Sequence, residues 1–124
     1  MTAKTKAQRN ARLLALAKGR HCMLRVPNVC RDEVDTVVAC HGNSSAYGKA
    51  IGRKADDHYS VWGCARCHTW LDSSYCTSGK ERQKYFQQAL SRQLIAWGAI
   101  ARNDGEKARD QAAALWALDL HGAV

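Results

Sequence analysis

The chain has 124 residues and a formal net charge of +8, with 46% hydrophobic and 24% charged residues. That length fits a single domain over residues 1–124, and the composition excludes a wholly disordered chain. No apolar stretch approaches the roughly 20 residues that a membrane-spanning helix needs, and no secretory signal follows the basic N-terminus. We therefore expect a cytoplasmic protein, not bound to a membrane, that has an anionic partner.

Residues 1–20 are the most basic part of the chain. Their charged side chains are all cationic: Lys4, Lys6, Arg9, Arg12, Lys18 and Arg20. Good helix formers run from about Thr2 to Lys18, and Gly19 ends the pattern. The sequence predicts a basic helix that contacts nucleic acid, and the alternative is a solvated helix with a frayed end.

In a reducing compartment, cysteines indicate metal binding better than disulfides. Cys64 and Cys67 have the two-residue spacing at which one turn brings both sulfurs onto one side. Cys22 and Cys30 are the simplest second pair, because the proline-asparagine turn between them can bring the ends of that loop together. The four thiolates would hold one structural Zn²⁺, and in a chain this small the binding energy would also be folding energy.

Two further cysteines leave an alternative open. Cys40 follows a predicted strand, and Cys76 stands alone after a predicted helix. Either could replace Cys30 as a ligand, but neither pairs as naturally. We expect both to be free thiols, which protein interiors accommodate well.

The middle of the chain predicts the order strand, loop, strand, helix. The β-branched run from Val34 to Ala39 predicts the first strand, and Tyr59 to Trp62 predicts its partner. Residues 42–58 are rich in glycine, serine and charge, so they predict a long exposed loop kept for function. A helix is predicted from near Cys64 to Asp72 or Ser73.

Residues 78–124 predict packing helices without a functional site. Ser78 and Glu81 form a capping box before a helix over residues 80–101 that has one apolar face. A second helix is predicted after residues 103–106, with an apolar face formed by Ala108, Ala112, Leu115, Trp116 and Leu120. Trp97 and Trp116 are predicted to be core residues.

Two histidines lie where chemistry is possible. His68 follows Cys67, and Asp72 lies one helical turn further on the same face. An imidazole and a carboxylate placed in this way can hold a divalent ion with open positions for water and phosphate. His41, at the end of the opposite strand, could face that ion and take a proton from water near neutral pH. The alternative is that both histidines only support neighbouring groups.

This order of elements, with one histidine ending the first strand and another on the helix, resembles the ββα-metal core of HNH endonucleases. The motifs more closely resemble the YbcO-like family of prophage nucleases, and are similar to the RecA-dependent HNH nucleases of phages. The resemblance covers about residues 10–75 and rests on four motifs: Cys22-x7-Cys30, Asp35-Thr36-x3-Cys40-His41, Gly52-Arg-Lys54-x2-Asp57 and Cys64-x2-Cys67-His68-x3-Asp72.

The resemblance implies an α+β fold in which a small zinc-stabilised treble-clef core, over residues 21–75, is flanked by N- and C-terminal helices. It implies that the four cysteines bind structural zinc, that His41 is the general base, and that His68 and Asp72 form the catalytic-metal face. Asp57 would orient His41 or cap a strand. The second ion would be divalent, such as Mg²⁺, Mn²⁺ or Ni²⁺. The sequence departs from the family pattern at three places. Cys40 stands where a small residue is usual, Ala50-Ile51-Gly52 stands where relatives have a glycine-x-glycine, and Asp72 stands where the RecA-dependent group has histidine.

The predicted function is therefore hydrolysis of DNA phosphodiester bonds by a metal-dependent endonuclease. Lys49, Arg53 and Lys54 are predicted to bind phosphates without reading sequence. One alternative is a zinc-dependent nucleic-acid-binding module without catalysis. Another is a phage accessory protein that binds a host recombination or replication protein, with Trp70 or Tyr75 as a contact.

Overall fold

The structure is a computed structural model that describes residues 6–50, 52–73 and 78–123. Its helices and strands are, in chain order, α1 (Ala11–Ala15), β1 (Val38–His41), β2 (Ser60–Gly63), α2 (Ala65–Asp72), α3 (Gly79–Arg102) and α4 (Ala108–Leu120). The predicted α+β class is thereby confirmed. Within the described ranges, none of the helices is both long and apolar enough to cross a bilayer.

The two strands form an antiparallel pair in which Val38 lies opposite Gly63 and His41 opposite Ser60. Every residue of β2 is buried, and α2 and α3 both contact this strand. The backbone N–H of Trp62 donates to the side-chain oxygen of Gln93 on α3 at 2.8 Å, so a helix side chain satisfies a strand amide. The hairpin is therefore held against α3 by both apolar packing and a buried hydrogen bond.

The first strand begins later than its sequence predicts. Residues Val34–Thr36 form a 3-10 turn, and pairing starts at Val38. The hydroxyl of Thr36 donates to the Glu33 carbonyl at 2.7 Å. This local bond competes with strand pairing, which the β-branched composition alone does not reveal.

The N-terminal helix is much shorter than predicted. Only Ala11–Ala15 is helical, with Asn10 as its cap, and residues 1–5 lie outside the described residues. The segment before the cap is bonded to a distant loop: Asp57 N–H donates to the Gln8 carbonyl at 2.9 Å, and Asn10 N–H donates to a carboxylate oxygen of Asp57 at 2.7 Å. These long-range bonds occupy the backbone groups that a longer helix would need.

The predicted bounds of α2 and α3 agree closely with the structure. The hydroxyl of Ser78 accepts a hydrogen bond from Glu81 N–H at 3.1 Å, so the predicted cap is formed. Phe86 and Trp97 lie on the buried face of α3, with exposed fractions of 2% and 1%. Trp97 is therefore the core residue that its spacing predicts.

The predicted apolar face of α4 is wrong. Leu115 and Leu120 are 44% and 40% exposed, whereas the buried residues are Asp110, Ala113, Ala114, Ala117 and Leu118. Alanine and leucine occur on every side of this helix, so their spacing does not indicate which side faces the core. The rotation is instead consistent with the ion pair between Arg12 of α1 and Asp110, whose pKa is held below its usual value by the Arg12 hydrogen bond.

Candidate functional site

Four cysteines lie together beside the hairpin. The sulfurs of Cys22, Cys30, Cys64 and Cys67 all lie within 4.8 Å of one another, and those of Cys30 and Cys64 are 3.9 Å apart. A tetrahedron with zinc–sulfur bonds of about 2.3 Å has edges of about 3.8 Å, so the donors and their spacing both suit this ion. The group could hold a metal ion such as zinc.

The segment from Cys22 to Asp32 contains three residues with left-handed backbone, two of them between Cys22 and Cys30. Arg25, Asn28 and Asp32 have φ angles of 46°, 62° and 44°, in the left-handed region that most residues avoid. The turn predicted at Pro27-Asn28 is closed by Cys30 N–H, which donates to the Val26 carbonyl at 2.9 Å. These turns bring the two ends of the loop together.

Asp32 fixes the outer side of the same loop. Its carboxylate accepts from Cys22 N–H at 2.6 Å and contacts a ring nitrogen of His21 at 2.8 Å. Both contacts lower the pKa of Asp32, and the Cys22 bond contributes most. Asp32 therefore holds the backbone of one candidate metal ligand, Cys22, in place.

The pKa of one thiol in this group favours binding of a cation. A hydrogen bond from the Cys67 thiol lowers the pKa of Cys22 to about 5, and the same bond raises the pKa of Cys67. Burial raises the pKa of Cys30 to about 11. The cluster therefore carries a thiolate at neutral pH, and binding of a divalent ion would displace the remaining thiol protons.

Cys40 is not part of this group. Its side chain is fully buried, burial raises its pKa, and its thiol lies 3.9 Å from the Gly63 carbonyl. A side chain at Gly63 would collide with both the Cys40 sulfur and Leu24. Cys40 is therefore a buried neutral thiol at a tight strand contact, while Cys76 lies outside the described residues.

The strand-end histidine is bound to a buried carboxylate. Nε2 of His41 lies 2.9 Å from Oδ1 of Asp57, whose side chain is only 2% exposed. Asp57 also accepts from Asn10 N–H, and its Oδ1 lies 3.4 Å from the Arg9 guanidinium. A carboxylate at Nε2 favours the tautomer that carries its proton there, which leaves Nδ1 free to accept a proton.

The second predicted pair lies on the exposed side of α2. Nε2 of His68 is 3.2 Å from Asp72, and their side chains are 41% and 57% exposed. Together with Thr69 and Ser73 they line a shallow depression. Among the residues that the structure describes, the four cysteines are the one group of three or more possible ligands close enough to hold an ion. His41, His68 and Asp72 do not form a ready-made ion site, so their role as a catalytic-metal face stays a prediction.

The predicted phosphate-binding residues have different surroundings. Lys49 and Lys54 are exposed, whereas Arg53 is half-buried and its guanidinium lies 3.4 Å from Asp56. The loop prediction is correct for residues 43–50 only in part, because Tyr47 is buried and stacks on Tyr59 with ring centroids 4.6 Å apart. Residues 55–58 are buried, since the N-terminal segment covers their acidic side chains.

Three arginines of the basic N-terminal segment are partly exposed and also bond to other parts of the protein. Arg9 donates to the Ala55 carbonyl at 2.6 Å, Arg12 pairs with Asp110, and Arg20 lies 3.5 Å from Glu106. These three arginines join α1 and its flanking residues to the loop and to the C-terminal half, and nucleic-acid binding by this basic segment stays a prediction. Lys6 and Lys18 remain exposed and available to an anion.

His58 packs in an aromatic cluster behind the site. Its ring lies 5.0 Å from that of His121 and 4.4 Å from that of Tyr59, and its backbone carbonyl accepts from Nε2 of His121. His58 is 6% exposed, and within the described residues its Nδ1 has no hydrogen-bond partner. Nothing in the sequence pattern distinguishes this histidine from the exposed loop around it.

We expect the protein to lose stability as pH falls below about 6.5. Burial, followed by the nearby His121, lowers the pKa of folded His58, and Asp56 and Asp57 oppose this only in part. The unfolded chain therefore gains a proton first, and stability falls until pH passes below the folded pKa. Thermal melts between about pH 8 and pH 5 should be less pH-dependent for His58→Gln than for wild type or the exposed control His21→Gln. Equal slopes in all three would contradict this expectation.

A four-cysteine cluster that could hold a metal ion, packed beside a hairpin whose first strand ends in a carboxylate-bound histidine, defines a small protein of the α+β class with a candidate metal site. The chain belongs to the family described as "Putative nuclease YbcO", whose model matches residues 11–102. The resemblance seen in the motifs is thereby confirmed at the level of the family, which supports a nuclease-like function.

One solved structure is similar to this chain in fold. It is titled "Structure of a putative bacteriophage protein from Escherichia coli str. K-12 substr. MG1655". The match has a TM-score of 0.52 and 22% sequence identity, and it covers 66% of this chain and 90% of that one. Among curated proteins, none shows significant sequence similarity.

Proposed function

We propose that the protein is a metal-dependent endonuclease of the HNH type that hydrolyses DNA phosphodiester bonds. The observation that carries this proposal is the 2.9 Å contact between Nε2 of His41 and the buried carboxylate of Asp57. A histidine held in this way at a strand end is oriented for proton transfer, because one ring nitrogen is bonded and the other is left to accept a proton. Family membership supports the class of reaction, and DNA is the substrate that the net positive charge favours.

In the proposed reaction His41 accepts a proton at Nδ1 from a water molecule. The water oxygen forms a bond to phosphorus, the bond from phosphorus to the leaving oxygen breaks, and that oxygen gains a proton from solvent. Asp57 stabilises the imidazolium that forms, because its carboxylate remains bonded to Nε2. Lys49 and Lys54, both exposed, would neutralise neighbouring phosphates.

Two ions have separate roles in this proposal. Zinc on the four cysteines would hold the hairpin against α2 as a treble-clef core. His68 and Asp72 would bind the second ion, Mg²⁺, Mn²⁺ or Ni²⁺, which supplies charge neutralisation at the phosphate and at the leaving oxygen. The exposure of both side chains leaves this face open to a large substrate.

The test is a plasmid-nicking assay with each of the three ions, combined with elemental analysis. Wild type should contain one zinc per chain and nick DNA only when a divalent ion is added. His68→Ala should keep its zinc and lose nicking, while the control Gln88→Ala, at an exposed position on α3, should retain both. Undiminished nicking by His68→Ala would remove this residue from the proposal. Adding recombinase filaments to the same assay tests the recombinase dependence that the resemblance to RecA-dependent HNH nucleases implies.

A second candidate is a zinc-dependent nucleic-acid-binding module without catalysis. The observation that favours it is that His41, His68 and Asp72 form no ready-made ion site within the described part of the chain. This candidate predicts DNA binding by the zinc-containing protein, with no nicking under any of the three ions. A host recombination or replication protein that co-purifies without DNA would point instead to an accessory role.

A further inference from the structure

A pocket of about 240 Å³ is lined in part by residues that follow β1 in the chain. It forms where the segment after β1, the end of α2 and the first turns of α3 meet. Its floor is apolar, made by Tyr47, Leu71 and Phe86, and its rim carries the polar side chains of Asn43, Ser44 and Arg82. An apolar floor with a few convergent polar groups is typical of a ligand site.

The floor is aromatic and closely fixed to the end of β1. The rings of Tyr47 and Phe86 have centroids 5.3 Å apart, and both side chains are buried. Gly42, directly after His41, lies so close to both rings that a side chain there would overlap Tyr47. The floor cannot move independently of the histidine, so a molecule resting on it has a fixed position relative to the proposed reacting centre.

The rim offers hydrogen-bonding groups of both kinds. The Asn43 side-chain N–H donates to the Leu71 carbonyl at 3.1 Å, which fixes that amide and leaves its oxygen as an acceptor. The Ser44 hydroxyl oxygen accepts from Ala46 N–H at 3.2 Å, which leaves its proton to be donated. One acceptor and one donor above an aromatic floor match the polar edge and flat face of a nucleobase.

Arg82 supplies a cation at the same rim. Within the described residues its guanidinium makes no hydrogen bond or ion pair, unlike Arg9, Arg12 and Arg20. It lies near Gly79 in the first turn of the 24-residue helix α3, whose N-terminal end itself favours an anion. A phosphate joined to a base in the pocket would find its counter-charge here.

We infer that this pocket binds an unpaired nucleobase of a DNA strand, with Arg82 on the adjoining phosphate. The inference rests on the proposed function and names its substrate as DNA with an unpaired base beside the scissile bond. Gly42, next to His41, packs on the pocket floor, and Leu71, which lines the pocket, directly precedes Asp72 on α2, so the chain joins the pocket to both halves of the proposed site. A base held here would set which phosphate meets His41.

The test measures binding without added divalent ions, so that cleavage cannot interfere. Three DNA duplexes are compared: one with a single-base bulge, one with an abasic residue at the bulge, and one fully paired. Wild type should bind the bulged duplex about tenfold more tightly than the abasic one, which is the size of effect that stacking of one base gives.

Variants locate the preference in the pocket. Gly79→Leu should abolish it by filling the rim, whereas Gly79→Ala should retain it, because a Cβ there would meet nothing closer than Arg82 at 3.6 Å. Arg82→Gln should weaken binding of the bulged duplex more than Lys84→Gln does. The latter removes the same charge from the same helix but does not line the pocket.

The outcomes separate this inference from the proposed function. Equal wild-type affinity for the bulged and abasic duplexes, or a preference that survives Gly79→Leu, would overturn the pocket assignment even if the protein nicks plasmid DNA. Loss of the preference in Gly79→Leu but not in Gly79→Ala, with binding of the bulged duplex weakened more by Arg82→Gln than by Lys84→Gln, would support it. This holds also for a protein that nicks nothing, where the nuclease proposal alone would fail.

Discussion

Replacing Cys67 with alanine is expected to unfold the protein. The Cys67 sulfur is fully buried and belongs to the four-sulfur group, so its loss leaves three thiols around an incomplete ion site. Structural zinc contributes about 10–16 kcal/mol of apparent binding energy in small domains, which equals or exceeds the whole stability of about 5–15 kcal/mol typical of a domain. We expect no cooperative thermal transition in this variant and no zinc by elemental analysis.

The matched control is Cys40→Ala. Cys40 is equally buried but lies outside the four-sulfur group, so this change should lower stability only modestly and leave one zinc per chain. A chelator strong enough to remove zinc should reproduce the Cys67→Ala result on wild type. Normal folding of Cys67→Ala, or equal damage in both variants, would show that the cluster does not hold a structural ion.

Substitution of His41 by alanine is expected to lower the nicking rate by about 100- to 10,000-fold, the usual contribution of a general base. The side chain is 18% exposed, and Asp57 would keep its bonds from Asn10 and Arg9, so folding should be preserved. The rate should be partly restored by added imidazole, which can replace the missing ring. Restoration of this kind is not expected if the residue has a purely structural role.

Asp57→Asn separates orientation from proton transfer. The amide keeps the shape of the carboxylate but cannot hold the imidazolium by charge, so the rate should fall while His41 itself is intact. The change also weakens the bonds from the N-terminal segment, so we expect a lower melting temperature in addition. Wild-type nicking by His41→Ala would refute the assigned base, and a slow Asp57→Asn that melts normally would assign Asp57 to the reaction alone.

The sequence predicts best those features that depend on neighbours in the chain. The Cys-x2-Cys spacing, the Ser78 cap and the apolar period of α3 are all local, and the structure has each of them in place. The predicted pairing of Cys22 with Cys30 also depends on a turn between them, where Arg25 and Asn28 have left-handed backbone. Elemental analysis is the measurement that determines whether zinc is bound there.

The features that the sequence does not predict depend on partners far along the chain. Asp57 and Asn10 are separated by 47 positions, and Arg12 and Asp110 by 98, so neither pair leaves a local pattern. The first of these contacts holds the segment before α1 outside a helix and covers part of the loop that the sequence predicts to be exposed. The second lies on the side of α4 that is buried. The same limit hid the pocket lined by Arg82, because α3 has the periodicity of a packing helix alone.

The hydrogen bond between Asn10 and Asp57 also determines which part of the chain is needed if the site is transferred to another protein. The family model begins at residue 11, yet the backbone of residue 10 and the side chain of Arg9 both reach the carboxylate that holds His41. A fragment restricted to residues 11–102 would inherit all four cysteines but neither of those donors. A transfer of the cysteine core alone to another protein would therefore carry the metal site with a histidine that is less firmly held. Residues 9 and 10 have to be transferred together with the core.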